Sequence, residues 1–89
     1  MNTTTKKFKP NVAIDMVSAA LQHYKKQERL VDFITLNHRL WEMWVSGMLE
    51  RDPTLDIKDE MHFKDCKVRK GSMFMVKQMT VELKKRILA

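Results

Sequence analysis

ERLVDFITLNHRLWEMWVSGMLERDP, residues 28–53, is the most apolar stretch of the chain, and its pattern sets the expected fold class. Its apolar side chains follow two stripes at helical spacing, one with Leu30, Phe33, Ile34, Trp41, Trp44, Val45 and Met48 and another with Leu36, Leu40 and Met43. A helix that is apolar on two faces is expected to be buried on two sides. The pattern predicts a long helix over residues 28–51 that stops at Asp52-Pro53, because proline disfavours helical conformation in the residue before it.

The segment that precedes this stretch also has helical spacing. Its apolar positions are Val12, Met16, Ala19 and Ala20. Pro10 suits a helix start, and Lys25 and Lys26 suit the C-terminal end of the helix dipole, so the sequence predicts a helix over residues 11–26. Residues 1–10 are polar and basic, which predicts a flexible N-terminal arm.

Two patterns compete in the segment over residues 54–70. Leu55, Ile57, Met61 and Phe63 alternate as a strand would, whereas Ile57, Met61, Cys66 and Val68 partly fit a helix. The helix is the preferred interpretation, with short strands as the alternative.

The last segment begins after the break at Gly71-Ser72. Ser72 suits the N-cap of a helix whose apolar stripe is Val76, Met79, Leu83 and Ile87. This helix would end in the basic run over residues 84–86. The sequence therefore predicts a small all-α domain of three to four helices over residues 11–89.

Chain length and cysteine content limit how such a domain is stabilised. A chain of 89 residues buries a modest core, and the single Cys66 excludes an intramolecular disulfide bond. We therefore expect a homo-oligomer. The sequence has no apolar signal core and no apolar run of about 18 residues, so a cytoplasmic protein is expected, with no contact with membranes.

Positive charge is concentrated at the two ends of the chain. The net charge is +4 over residues 1–26, −4 over residues 27–60 and +6 over residues 61–89, which gives +6 in total. A basic patch of this kind is typical of phosphate binding, and RNA is favoured over specific duplex DNA because no helix has the features of a groove-entering recognition helix. A solvated basic surface is the alternative. The candidate nucleic-acid-binding residues are Lys6, Lys7, Lys9, Lys64, Lys67, Arg69, Lys70, Lys77, Lys84, Lys85 and Arg86.

The candidate interface with a partner or a second subunit lies in the apolar stretch. Trp41 and Trp44 are three residues apart, and they suit either the core or a subunit interface. Asn37 interrupts the apolar stripe, and a buried Asn on a helix seam can fix the oligomeric state. The alternative is an Asn at the edge of the core that contacts water. Phe33 and Met48 complete the candidate interface.

No set of residues predicts catalysis or metal binding. The sequence has no glycine-rich phosphate loop and no nucleophile motif, and the adjacent Asp59 and Glu60 point in different directions in a helix or a strand. His62 and Cys66 have the spacing of two helical metal ligands, whereas a structural zinc site takes four. We therefore expect neither an enzyme nor a cofactor.

Residues 27–54 resemble, without gaps, the later part of the Hha/YmoA family of small nucleoid-associated modulators. The matching residues are Asn37, His38, Arg39, Leu40, Glu42 and Pro53. The resemblance covers about a third of the chain, which continues for 36 residues after the proline, whereas the family ends shortly after it. The resemblance implies a small helical protein that acts by docking on a nucleoid protein. In composition the chain also resembles accessory proteins of T-even-type bacteriophages, many of which disable host factors.

Taken together, these features predict a regulatory or inhibitory protein that binds a partner protein and nucleic acid, with RNA preferred, and that modulates a host factor. The alternative is a purely protein-binding inhibitor or adaptor that docks through the apolar long helix.

Overall fold

A computed structural model describes residues 11–85, which form two helices and a four-stranded mixed sheet. The fold is therefore α+β, and the predicted all-α class is wrong. The elements are α1 (Asn11–Lys26), β1 (Val31–Leu36), α2 (His38–Arg51), β2 (Glu60–Phe63), β3 (Cys66–Lys70) and β4 (Met79–Leu83). Neither helix in this part of the chain is long and apolar enough to cross a membrane.

Helix α1 confirms the prediction for residues 11–26. Its inner face buries Ala13, Ile14 and Val17. The helix ends in a Schellman motif, in which Glu28 has a left-handed φ of 58° and the N–H of Arg29 donates to the carbonyl of Tyr24 at 2.9 Å. This motif turns the chain sharply into β1.

The single long helix predicted for residues 28–51 is wrong, because Asn37 divides the segment into β1 and α2. Asn37 has an extended backbone with φ −67° and ψ 170°, and its Oδ1 accepts a hydrogen bond from the N–H of Leu40 at 2.9 Å. This is an N-cap, which starts a new helix after an extended residue. Helix α2 then ends before Pro53, where the sequence predicted a stop.

The helices predicted for residues 54–70 and after Ser72 are also wrong, since both segments contain strands. Strand β2 contains Met61 and Phe63 of the alternation that was the competing interpretation, and strand β3 buries Cys66 and Val68, which had been assigned to the helical pattern. In β4, Met79, Val81 and Leu83 pack against the core, and Thr80 and Glu82 alternate with them. Alternate residues of a strand point to the same face of the sheet, so a strand contacts the core through every second residue. In these segments the core contacts follow this spacing of two and not the helical spacing.

The sheet has the order β2-β3-β1-β4. Strand β1 is parallel to β3 and antiparallel to β4, and β2 is antiparallel to β3. Both helices pack on one face of the sheet, where Ile34, Val68 and Trp44 are fully buried in a shared core. No helix among residues 11–85 covers the opposite face.

Candidate functional site

The uncovered face of the sheet presents eight side chains, which we call the open face. Strand register places them in two rows across the four strands. One row is His62, Lys67, Phe33 and Glu82, and the other is Glu60, Arg69, Thr35 and Thr80. Phe33 supplies the phenyl ring of this face, and it lies on the central strand β1 among polar neighbours.

Two cations lie close to the ring of Phe33. The guanidinium carbon of Arg69 is 4.3 Å from the ring centroid, and Nζ of Lys67 is 5.5 Å from it. Both distances are in the range of cation–π attraction, which holds the two cations beside the aromatic face. The centre of the open face therefore combines a ring, a planar guanidinium and an ammonium.

The same cations also contact oxygen atoms of the open face. Arg69 donates to Oγ1 of Thr35 at 2.9 Å and forms an ion pair with Glu82, while Nζ of Lys67 is 3.8 Å from a carboxylate oxygen of Glu60. The four charged side chains are 36% to 57% exposed. Ion pairs this exposed are worth about 0–1 kcal/mol, so a competing anion can replace the carboxylates at little cost.

A second surface, the basic cleft, lies at the end of the sheet where β1 and β3 begin and β4 ends. Its rim is formed by Lys25, Arg29, Lys64 and Lys84 with Asp65 as the single acidic lining residue, and its volume is about 280 Å³. Its apolar lining is formed by Leu21, Leu30 and Val31. The cleft thus joins a cationic rim to an apolar floor.

Backbone hydrogen bonds explain why cations from distant parts of the sequence meet at the basic cleft. The Schellman motif after α1 returns Arg29 to the vicinity of Lys25. The N–H of Lys84 donates to the carbonyl of Leu30 at 2.8 Å, which places the end of β4 beside this turn. Lys64 comes from the turn between β2 and β3.

Cys66 is a core residue near the basic cleft. It is 4% exposed, and its Sγ–H donates to the carbonyl of Phe63 at 3.4 Å. Burial, together with the negative charge of Asp65, raises the pKa of the thiol, while the positive charge of Lys84 opposes the shift. His62 lies on the open face, so it does not converge with Cys66, and residues 11–85 contain no group of side chains suited to hold a metal ion.

Within residues 11–85, the basic residues predicted to bind nucleic acid lie on more than one surface. Lys64, Lys84 and Lys85 lie at the basic-cleft end, and Lys67 and Arg69 lie on the open face. Lys70 ends β3 about 13 Å along the strand from Cys66, and Lys77 is in the loop that follows. Lys6, Lys7, Lys9 and Arg86 lie outside the described residues.

The five predicted interface residues are also distributed over different environments. Trp41 and Trp44 stack with ring centroids 5.4 Å apart, and both are buried inside this chain. Asn37 is the N-cap of α2, Met48 packs against the core, and Phe33 lies on the open face.

The sequence analysis did not identify Lys25 and Arg29 as site residues, because only the turn after α1 brings them to the basic cleft.

The loop between β3 and β4 exposes large apolar side chains. Met73, Phe74 and Val76 are 71%, 83% and 92% exposed, and we call these three residues the apolar tip. The base of the loop is fixed, since the N–H of Gly71 donates to the carbonyl of Leu36 at 2.7 Å and Nε2–H of His38 donates to the carbonyl of Gly71 at 3.1 Å. The sequence had placed this segment in a helix.

No protein-family model, curated protein or solved structure matches this chain.

Proposed function

We propose that this protein is a small regulatory protein that binds single-stranded nucleic acid, RNA in preference to duplex DNA, on the open face. The supporting observation is Phe33 with Arg69 and Lys67 beside its ring on an uncovered sheet face. Nucleobases stack on aromatic rings and on guanidinium planes, and ammonium groups bind the phosphates between them. The basic cleft extends the cationic surface beyond the end of the sheet.

The width of the open face favours a single strand over a duplex. Four strands at a spacing of about 4.8 Å span about 14 Å between the outer strand axes alone. The major groove of B-form DNA is about 12 Å wide and admits a helix or a two-stranded ribbon. Both helices here pack on the other side of the sheet, so the open face presents neither a helix nor a two-stranded ribbon to that groove.

The acidic side chains of the open face favour RNA over single-stranded DNA. Glu60 and Glu82 repel phosphates, but a carboxylate accepts a hydrogen bond from a ribose 2′-hydroxyl or from a base amino group. Thr80 adds a hydroxyl that both donates and accepts. These groups supply a preference for RNA that a purely basic surface lacks.

Fluorescence anisotropy with a labelled RNA of about ten nucleotides tests this proposal, with the same sequence as single-stranded DNA and as duplex for comparison. Phe33→Leu keeps an apolar side chain but removes the stacking ring, so we expect about tenfold weaker RNA binding. Arg39→Gln, on the exposed side of α2, is the control and should bind as the wild type does. Unchanged affinity of the Phe33 variant, or no RNA binding at low salt, would contradict the proposal.

A second candidate function is that of an adaptor or inhibitor that docks on a partner protein, as in the regulation of a host factor. The observation that favours it is the apolar tip, because exposed large apolar side chains clustered in one loop are typical of interaction sites. The docking surface is then this loop, since Trp41 and Trp44 of α2 are buried in the core.

Comparative capture from a host lysate distinguishes the adaptor from the RNA binder. Phe74→Ser combined with Val76→Ser should abolish a captured protein band while leaving RNA affinity unchanged. Phe33→Leu, which changes the open face, should still capture the same band, and this result would show that the partner binds the apolar tip and not the open face. A partner retained equally by both variants would exclude the apolar tip as the docking site.

A further inference from the structure

The basic cleft contains more positive charge than is needed to neutralise one internal phosphodiester, which has a single negative charge. Four cations from three chain segments line the cleft, and Asp65 is its single acidic lining residue. The C-terminal end of α1 contributes a dipole equivalent to about half a negative charge, which four cations outweigh. Cations that line one cleft repel one another, and a bound anion with two negative charges relieves that repulsion.

The backbone of Lys64 is a second observation that points to the same site. Lys64 has a left-handed φ of 55°, a conformation in which Gly, Asn and Asp are the usual residues. A lysine at this turn position costs backbone strain, of the kind that is found at ligand-binding sites. Lys64 lines the cleft at this position, and its Nζ lies 5.4 Å from the centroid of the Phe63 ring.

The size and floor of the cleft limit what the anion can be attached to. A volume of about 280 Å³ is at the lower limit of small-molecule pockets, so the cleft accommodates a group about the size of one nucleotide. Leu21 and Val31 provide an apolar floor for a sugar or a base, while Lys25 and Lys84 lie on the rim beside the phosphate.

We infer that the basic cleft holds the phosphorylated end of a bound single strand, with a terminal phosphate monoester among the rim cations and the last nucleoside on the apolar floor. A terminal phosphate has close to two negative charges at neutral pH, whereas an internal phosphodiester has one. Lys64 is in the turn that leads into β3, and Lys67 is the second residue of β3, so a nucleic-acid strand that leaves the open face at Lys67 reaches the cleft directly. This inference rests on the proposed function.

Three RNAs of one sequence test the inference, with a 5′-phosphate, a 3′-phosphate or hydroxyl groups at both ends. We expect one phosphorylated RNA to bind wild-type protein about fivefold more tightly than the hydroxyl-ended RNA, as one charge-assisted contact on an exposed rim predicts. Lys25→Gln combined with Lys84→Gln should remove this gain. Lys26→Gln combined with Lys58→Gln has the same net charge and should retain it, because neither residue lines the cleft.

The outcomes separate the inference from the proposed function. If all three RNAs bind equally, or if both double variants retain the gain, the inference is overturned and RNA binding stands. If none of the RNAs binds, both are overturned. A phosphoserine peptide that binds as tightly as the phosphorylated RNA, and that loses affinity in the Lys25 and Lys84 variant, would reassign the cleft to a protein ligand.

Discussion

Asn37 shows how one side chain determines the local fold. The sequence suggested a buried Asn on a helix seam, whereas its Oδ1 accepts the N–H of Leu40 and starts α2 directly after β1. Its own N–H donates to the carbonyl of Gln78 at 3.0 Å, which ties the start of α2 to the segment before β4. The signal was present in the sequence, because Asn is a preferred N-cap residue.

Asn37→Ala should lower the free energy of unfolding by about 1 kcal/mol, because it removes the cap but keeps the backbone bond to Gln78. Urea denaturation measures this change. Asn37→Asp retains a capping oxygen and should stay within a few tenths of a kcal/mol of the wild type. Equal losses for the two variants would show that the amide has another role.

The buried thiol of Cys66 should make stability depend on alkaline pH. Burial and Asp65 raise the pKa of this thiol above its ordinary value of 9.0, so the folded state holds the proton more tightly than the unfolded state does. Its contribution is complete below pH 9.0 and is lost as the pH rises through the folded-state pKa. Urea denaturation between neutral and alkaline pH should show a steeper loss of stability for the wild type than for Cys66→Ala. Parallel pH profiles would contradict this expectation.

At the scale of elements, the sequence predicted α1 correctly because its helix has one buried face and a polar remainder. It failed for residues 28–53 because β1 is apolar on both faces. Ile34 points into the core and Phe33 lies on the open face, so the strand lacks the alternation that identifies a half-buried strand. For β4 the alternation was present, in Met79 to Leu83, but a helical stripe of Val76, Met79 and Leu83 fitted equally well. Val76 is 92% exposed, and that stripe therefore has no core to contact.

The loop that bears the apolar tip depends on Gly71 at its base. A Cβ at this position would clash with the sulfur of Met75 and would lie 3.0 Å from the carbonyl oxygen of Leu36. Gly71→Ala should therefore cost about 1–2 kcal/mol in urea denaturation, because the backbone must move. The Met75 side chain is flexible, so Gly71→Ala should remain costly in a Met75→Ala background. A full rescue in that background would assign the cost to the sulfur contact alone.

At the scale of the whole molecule, the candidate site could be predicted only in part. The basic residues were identified by composition, and most of those in the described chain lie on the open face or around the cleft. Their division into two surfaces follows from the parallel pairing of β1 with β3 and from the bond between Lys84 and Leu30, which are 54 positions apart in the sequence. Contacts between residues this far apart in the sequence depend on the complete fold, so the local pattern of apolar and charged residues does not predict them.

Salt dependence of RNA binding separates stacking from charge over both surfaces of the molecule. For single strands, log affinity falls with log salt by about 0.7 for each phosphate that a protein neutralises. Phe33→Leu removes an uncharged contact. Its plot of log affinity against log salt should therefore lie below that of the wild type and have the same slope. The double variant Lys25→Gln and Lys84→Gln removes the contacts to one terminal phosphate, and its slope should be shallower by about 0.7. The control Lys26→Gln with Lys58→Gln should keep the wild-type slope. If the plot for the Lys25 and Lys84 variant were parallel to that of the wild type, RNA would not enter the cleft. Binding releases counterions from each phosphate that the protein contacts, so the loss of such a contact must change the slope.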